Sequence, residues 1–293
     1  MDETGPYRRT ILRATGVTKH YGDLVALGGV DFEVPRHGIV SLIGPNGAGK
    51  TVFFNILTGL TKPDSGTIWF NGESTARMSP DRVTALGMAR TFQNIRLFEK
   101  MTVLENVMVG RHCRMKRGIW GAVMRSPDMM DEESQAYELS LDLLHFVGLD
   151  GVMNRYAGSL PYGLGRRLEI ARALATSPQL LLLDEPTAGM NPQETAALQD
   201  LISRVRAELG ITVLLIEHDM KVVMRISDRV SVLDYGRMIA EGSPEDIRND
   251  ARVIEAYLGR GAAARRDQSG TPGTAPGVDP QAAGQMHPRP VVS

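Results

Sequence analysis

The chain has 293 residues, 42% of them apolar, with 33 lysines and arginines against 34 acidic residues. That is length enough for one large cored domain or two, and a charge balance with neither the basic field of a nucleic-acid binder nor the acidic excess of a disordered chain. A single cysteine, Cys113, excludes an internal disulfide and suits a reducing compartment.

Met1 to Arg9 lead into no apolar run of export-signal length. The most apolar stretches, 180–183 and 211–216, fall far short of the roughly 20 residues a membrane span needs, so any membrane association is expected to come through a partner. From Ile11 to Val34, short apolar segments around a Tyr21-Gly22-Asp23 turn and a Gly28-Gly29 pair predict antiparallel strands. Tyr21 is either an aromatic face for a purine ring or a half-buried strand tyrosine.

Ile39 to Ile43 then run into Gly44-Pro45-Asn46-Gly47-Ala48-Gly49-Lys50-Thr51. Strand, glycine-rich loop and helix follow in the order a phosphate-binding loop requires, and the sequence fits G-x-x-x-x-G-K-[ST]. Glycines at 44, 47 and 49 allow close backbone approach to an anion, Lys50 would reach the β- and γ-phosphates, and the Thr51 hydroxyl would ligate Mg²⁺. Val52, Phe53, Ile56 and Leu57 have helical spacing, with Gly59 as the stop.

Residues 66–72 read as a strand ending in an Asn-Gly turn, and Ser79-Pro80 as a helix start with serine as cap. Ala89 to Phe98 predict a strand running out into a loop at Gln93. Thr102 to Glu105 form a capping box, and the chain is then expected to be helical to about Ala157, with Leu139, Leu143, Phe146 and Val147 as its apolar stripe. The basic run 111–117 and the apolar segment 118–124 within it fit either a surface meeting a membrane partner or a solvated helix face.

Leu180 to Leu183 followed by Asp184-Glu185 has the look of a buried parallel strand whose acids emerge at the C-terminal edge, where such sheets bind ligands. Asn191 to Glu194 cap the next helix, Ile211 to Glu217 form another buried strand, and His218 stands at its end. Two short strands, 228–233 and 237–241, meet at Tyr235-Gly236; Ser243 opens a short helix and 253–258 a last one. Beyond Arg260 the composition turns to Ala, Gly, Pro, Gln and Ser, which predicts a disordered tail over 260–293.

A phosphate loop, a strand ending in two carboxylates and a later strand ending in histidine together suggest ATP hydrolysis. Asp184 would hold Mg²⁺ and Glu185 would act as general base, strand neighbours pointing opposite ways; His218 would contact the γ-phosphate. Taken singly, Glu185 could be a helix cap and His218 a satisfied core histidine.

From about Ile11 to Gly259 these residues resemble the ATP-binding subunit of an ABC transporter. The resemblance implies an α/β fold: a P-loop ABC-type ATPase over 10–259 with a RecA-like core, an antiparallel β subdomain and an α-helical subdomain inserted at about 94–158. It implies ATP and Mg²⁺ as cofactors, with Tyr21 stacking on adenine, residues 44–51 as Walker A, Gln93 as the Q-loop glutamine near Mg²⁺ and γ-phosphate, 180–184 as Walker B, Glu185 as catalytic glutamate, 188–191 as D-loop and His218 as switch histidine.

The signature falls on Leu160-Pro161-Tyr162-Gly163-Leu164, where Pro161 lacks both hydroxyl and N–H and Gly163 can still offer its amide to a phosphate. Two cassettes, identical or paralogous, are implied to close head to tail around two ATP molecules, with the helical insert on a transmembrane permease at the cytoplasmic face of the inner membrane and a solute-binding protein as indirect partner. No nucleic-acid partner is expected. The stretches 90–98, 160–170 and 256–259 resemble the subfamily that energises branched-chain amino acid uptake; importers of urea, amides or other small solutes, or a soluble cassette ATPase, are the alternatives. Leu164-Gly165 depart even from that subfamily, and the expectation is a weakened cross-dimer contact, with Gly165→Gln raising ATP-driven dimerisation.

Overall fold

The computed structural model describes residues 10–111 and 127–257, with backbone only at 127–131. The basic run from residue 112, Cys113, the segment 118–124, residues 1–9 and the tail from 258 lie outside the described residues.

Two sheets and a helical layer make up the described residues. β1 (Thr10–Tyr21) and β2 (Leu24–Pro35) pair antiparallel around the expected turn at 22–23. With β4 (Ser65–Phe70) and β5 (Glu73–Ser74) they form a four-stranded sheet of order β2-β1-β4-β5, and Asn71 and Gly72, both at positive φ, make the β4–β5 turn. The second sheet has order β10-β9-β3-β8-β7-β6, built from β3 (Ile39–Ile43), β6 (Met88–Arg90), β7 (Leu180–Asp184), β8 (Thr212–Ile216), β9 (Arg229–Asp234) and β10 (Arg237–Gly242). Its central pairs are parallel, and β3, β7 and β8 are buried at every residue, as uninterrupted apolar runs require.

α1 (Lys50–Leu57) packs between the sheets, with Phe53 meeting Phe32 edge-on at 5.4 Å. α2 (Pro80–Ala85) has Ser79 at its N-cap position, but the Ser79 hydroxyl accepts no helix N–H; it bonds instead to Asp81, holding that carboxyl below its ordinary range. On the other side of the second sheet lie α3 (Val103–Arg111), entered through the Thr102–Glu105 capping box, α4 (Pro127–Val147), and α5 (Tyr162–Leu174). Leu143 and Val147 are buried there, with Leu139 and Phe146 packed against the same cluster. α6 (Pro192–Leu209) carries its full Asn191–Glu194 capping box, α7 (Met220–Ile226) follows β8, α8 (Pro244–Asn249) is capped by Ser243 and Asp246, and residues 251–257 are helical.

Within the four-stranded sheet, β4 comes tight against β1 at Gly66. It sits opposite the β1 bulge at φ +94°, and a Cβ there would lie 2.5 Å from the Gly16 carbonyl oxygen. Gly22, at φ +59°, has open space where a Cβ would go. Gly66→Ala should therefore lose about 2–4 kcal/mol in equilibrium urea unfolding, and Gly22→Ala about 1 kcal/mol, the left-handed backbone penalty alone. Equal losses would show that the β1–β4 approach relaxes freely.

Candidate functional site

β3 delivers the glycine-rich loop to the sheet's C-terminal edge, and the loop's geometry is set from behind. A Cβ on Gly44 would fall 2.0 Å from the Leu233 carbonyl oxygen, and one on Gly49 2.7 Å from that of Ala26; Gly47 has nothing within 4 Å. Two of the three glycines thus serve close packing against β9 and β2, and Gly47 stands on the loop's open side. Backbone bonds from Gly236 N–H to the Ala48 carbonyl and from Gly28 N–H to the Gly236 carbonyl, both 2.9 Å, brace the loop against the β9–β10 turn. Lys50, the first residue of α1, is buried with its Nζ donating to the carbonyls of Gly44 (2.6 Å) and Pro45 (3.1 Å), which places the cation under the loop.

In front of the loop is a cleft of about 460 Å³ bordered by Tyr21, Leu24, residues 46–52, Gln93, Glu185 and Tyr235. Tyr21, the last residue of β1, is 50% exposed and Leu24 66%, so Tyr21 is half-buried on its strand and still turns an apolar face to the cleft, where a flat ring could rest. Tyr235, 74% exposed at φ 43° on the β9–β10 turn, completes the rim. Sequence reading passed over it as a turn residue.

Gln93 and Glu185 line this cleft, and His218 adjoins Glu185. Gln93 Nε2 donates to Glu185 Oε2 at 3.1 Å, and His218 Nδ1 lies 3.7 Å from the same oxygen. The His218 side chain is 57% exposed, which excludes a core histidine. β7 ends at Asp184 and Glu185 sits at φ 45°, so the two carboxylates diverge through a left-handed turn and not, as expected from the sequence, through strand alternation. The turn runs on through 186–189 and the next helix begins only at Pro192, so Glu185 caps no helix.

Three charged side chains escaped sequence reading. Arg90, at the end of β6, donates from Nη2 to Asp184 Oδ2 at 2.8 Å and from Nη1 to Asn55 Oδ1 at 2.8 Å, with both members of the pair under 10% exposed. Glu217 is fully buried beside His218: Oε1 accepts from the Thr187 N–H (3.1 Å) and hydroxyl (2.6 Å), Oε2 from the His218 N–H (3.2 Å). Arg166, in α5, is buried over the Gln93 backbone. The available signal was an ionic residue inside an otherwise apolar strand or helix face, which is seldom buried without a partner.

Gly163 lies in the first turn of α5, outside the cleft; a Cβ there would be 2.7 Å from Glu194 Oε1. At Gly165 a Cβ would point at Ile95 and Leu97, 3.6 and 3.7 Å away, so a side chain at 165 starts into the helical layer and not toward an outside partner, against the geometry assumed for the glutamine substitution.

Among the described residues no group of three or more His, Cys, Asp and Glu side chains is arranged to hold a metal. The oxygen groups expected from the sequence to face a metal are the Thr51 hydroxyl and the Gln93 amide, on residues lining the cleft, and the Asp184 carboxylate, buried at the end of β7. That set fits Mg²⁺, which is bound by one or two carboxylates plus phosphates and keeps several waters.

The ABC transporter family model matches residues 27–188, and a model for the branched-chain amino acid ATP-binding cassette transporter matches 237–263. The chain is 46% identical over 251 residues to the high-affinity branched-chain amino acid transport ATP-binding protein BraF of Pseudomonas aeruginosa, covering 86% of this chain and 98% of that one. Among solved structures, an ATP-binding cassette of an ABC transporter in its ADP conformation superposes with a TM-score of 0.74 at 32% identity, over 85% of this chain and 99% of the other. A dimeric ATP-binding cassette in a post-hydrolysis state bound to ADP and Pi superposes with a TM-score of 0.67 at 26% identity, over 80% and 98%.

The buried Arg90–Asp184 pair can be tested apart from any activity. Arg90→Met should destabilise the protein by about 3–5 kcal/mol in urea unfolding, because Asp184 is left as a lone buried charge, and Arg90→Met combined with Asp184→Leu should recover most of that loss. A single-variant loss under about 1 kcal/mol would mean that water screens the pair.

Proposed function

The chain belongs to the family of ABC transporter ATP-binding subunits, and we propose from this that it hydrolyses ATP to energise a membrane permease importing branched-chain or related hydrophobic amino acids. The observation that carries the hydrolytic part is the meeting of Gln93, Glu185 and His218 in front of the phosphate loop. For the substrate, the support is the likeness to BraF along nearly its whole length and the match of the C-terminal segment.

In this reading the adenine ring rests on Tyr21, and the backbone N–H groups of 46–51 with the N-terminus of α1 cradle the phosphates. Lys50 leaves its two carbonyl partners for the β- and γ-phosphates. Thr51 and Asp184 would hold Mg²⁺, with Gln93 beside it, and the ion would supply neutralisation of the charge that develops on the transferred phosphoryl group. Arg90 holds one oxygen of Asp184 and so fixes the carboxylate. Glu185 takes a proton from the attacking water, Gln93 orients Glu185, and His218, held by its own N–H on Glu217, faces the γ-phosphate.

Gly163 lies away from the chain's own cleft, which accords with its serving the nucleotide of a second cassette. A cavity of about 480 Å³ between Arg90, Phe98, Val109 and Arg172 presents exposed Phe98 and Val109 and suits the permease contact. No helix among the described residues is long and apolar enough to cross a membrane. We place the subunit at the cytoplasmic face of the inner membrane, attached through the permease, with a solute-binding protein delivering substrate.

Purified Glu185→Gln should lose at least about 100-fold in ATP hydrolysis while binding a fluorescent ATP analogue as the natural chain does. In host cells lacking the protein, labelled leucine uptake should return with the natural chain and not with Glu185→Gln. Uptake restored by both would remove Glu185 from the transport cycle. Restoration by neither at equal expression would move the substrate to another class, urea and short amides being the next to try.

A further inference from the structure

α5 starts at Tyr162, and its first two turns contain Arg166 and Glu169, with side chains 0% and 2% exposed. A buried guanidinium is costly unless its donors find partners; here Nε has none, and the bonds of both terminal nitrogens converge on one place. Nη1 donates to Glu169 Oε2 and to the Phe92 carbonyl, both at 2.6 Å; Nη2 donates to the Gln93 carbonyl at 2.7 Å and the Tyr162 hydroxyl at 3.1 Å. The other Glu169 oxygen accepts the Phe92 N–H at 3.3 Å. Burial pushes the Glu169 carboxyl up and the Arg166 charge pulls it back.

A methionine at 166 would pack the helix without any of these bonds, so packing alone does not explain an arginine. Apart from the ion pair, every bond goes either to the Phe92-Gln93 backbone or to Tyr162, the neighbour of Gly163. The Gln93 side chain in turn donates to Glu185.

We propose that Arg166, seated by Glu169, is a positioning residue for Gln93: it ties the Gln93 backbone to the start of α5, so that Tyr162–Gly163 and the Gln93 amide move toward Glu185 as one body. The inference rests on the ATPase reading above. Its consequence is that whatever binds at Tyr162–Gly163 is felt at Glu185 within three bonded links. An arginine is needed because its fork spans two successive carbonyls, whereas an ammonium is a single point charge.

The test is a double-mutant cycle in the full chain. Arg166→Lys should lower kcat by about tenfold or more while KM for MgATP stays within about twofold, as loss of positioning without loss of binding requires. In a Gln93→Ala background the same substitution should change kcat less than about twofold, because the residue it acts through is gone. Arg166→Met with Glu169→Met removes the pair without leaving a lone charge; it should repeat the pattern and stands in should the lysine variant not fold. An equal loss in both backgrounds, or a folded Arg166→Lys with unchanged kcat, overturns the inference alone. Absence of hydrolysis by the natural chain, or hydrolysis indifferent to Glu185→Gln, overturns the ATPase reading and this inference with it.

Discussion

The structure depends on a steric exclusion. The phosphate loop runs so close to β2 and β9 that no Cβ fits at Gly44 or Gly49, nor at Gly236, where one would lie 2.6 Å from the Ala26 carbonyl oxygen. Two glycines of the loop and one of a distant hairpin lock one junction, and the loop cannot drift from the antiparallel sheet that carries Tyr21 or from the hairpin that carries Tyr235. Ring wall and phosphate cradle are thereby fixed at a set separation before any ligand enters, which lowers the ordering cost of binding.

Around that fixed point the chain uses buried charge to fasten the segments that bear the site. Arg90 ties β6 to the end of β7, Glu217 ties the turn after Glu185 to His218, and Arg166 with Glu169 ties the helical layer to Gln93. Burying ions is a poor route to stability, since an apolar side chain of similar volume is often as good or better. Their concentration on the loops that bear Gln93, Asp184, Glu185 and His218 indicates directional positioning, which hydrophobic packing does not give.

What could be read in the sequence was local. The phosphate loop, the three hairpin turns and the capping boxes at 102–105, 191–194 and 243–246 are set by residues a few positions apart, and the apolar runs of β3, β7 and β8 announce burial on both faces. Arg90, Arg166 and Glu217 went unread because the bonds that tie them to Asp184, to the Phe92 carbonyl and to Thr187 span 94, 74 and 30 positions, distances over which spacing carries no signal. The divergence of Asp184 and Glu185 was expected for the wrong reason, since strand geometry cannot foretell that the strand stops one residue early. The glycines were half understood: a loop that hugs a phosphate and one that hugs its own scaffold have the same composition.

Glu185 itself sits at φ 45°, a conformation in which glycine is unstrained and asparagine nearly so. Holding a glutamate there costs about 1–3 kcal/mol, a typical cost of a side chain in a sparsely populated backbone region. Under the role of general base proposed for Glu185, selection for a more stable fold pulls in one direction at this position and selection for turnover in the other. A descendant freed from the need to hydrolyse, for instance the silent member of an unequal pair, would gain stability by giving this glutamate up. In such lineages the first trace of lost activity should be a glycine or asparagine at 185, arriving as an improvement to the fold.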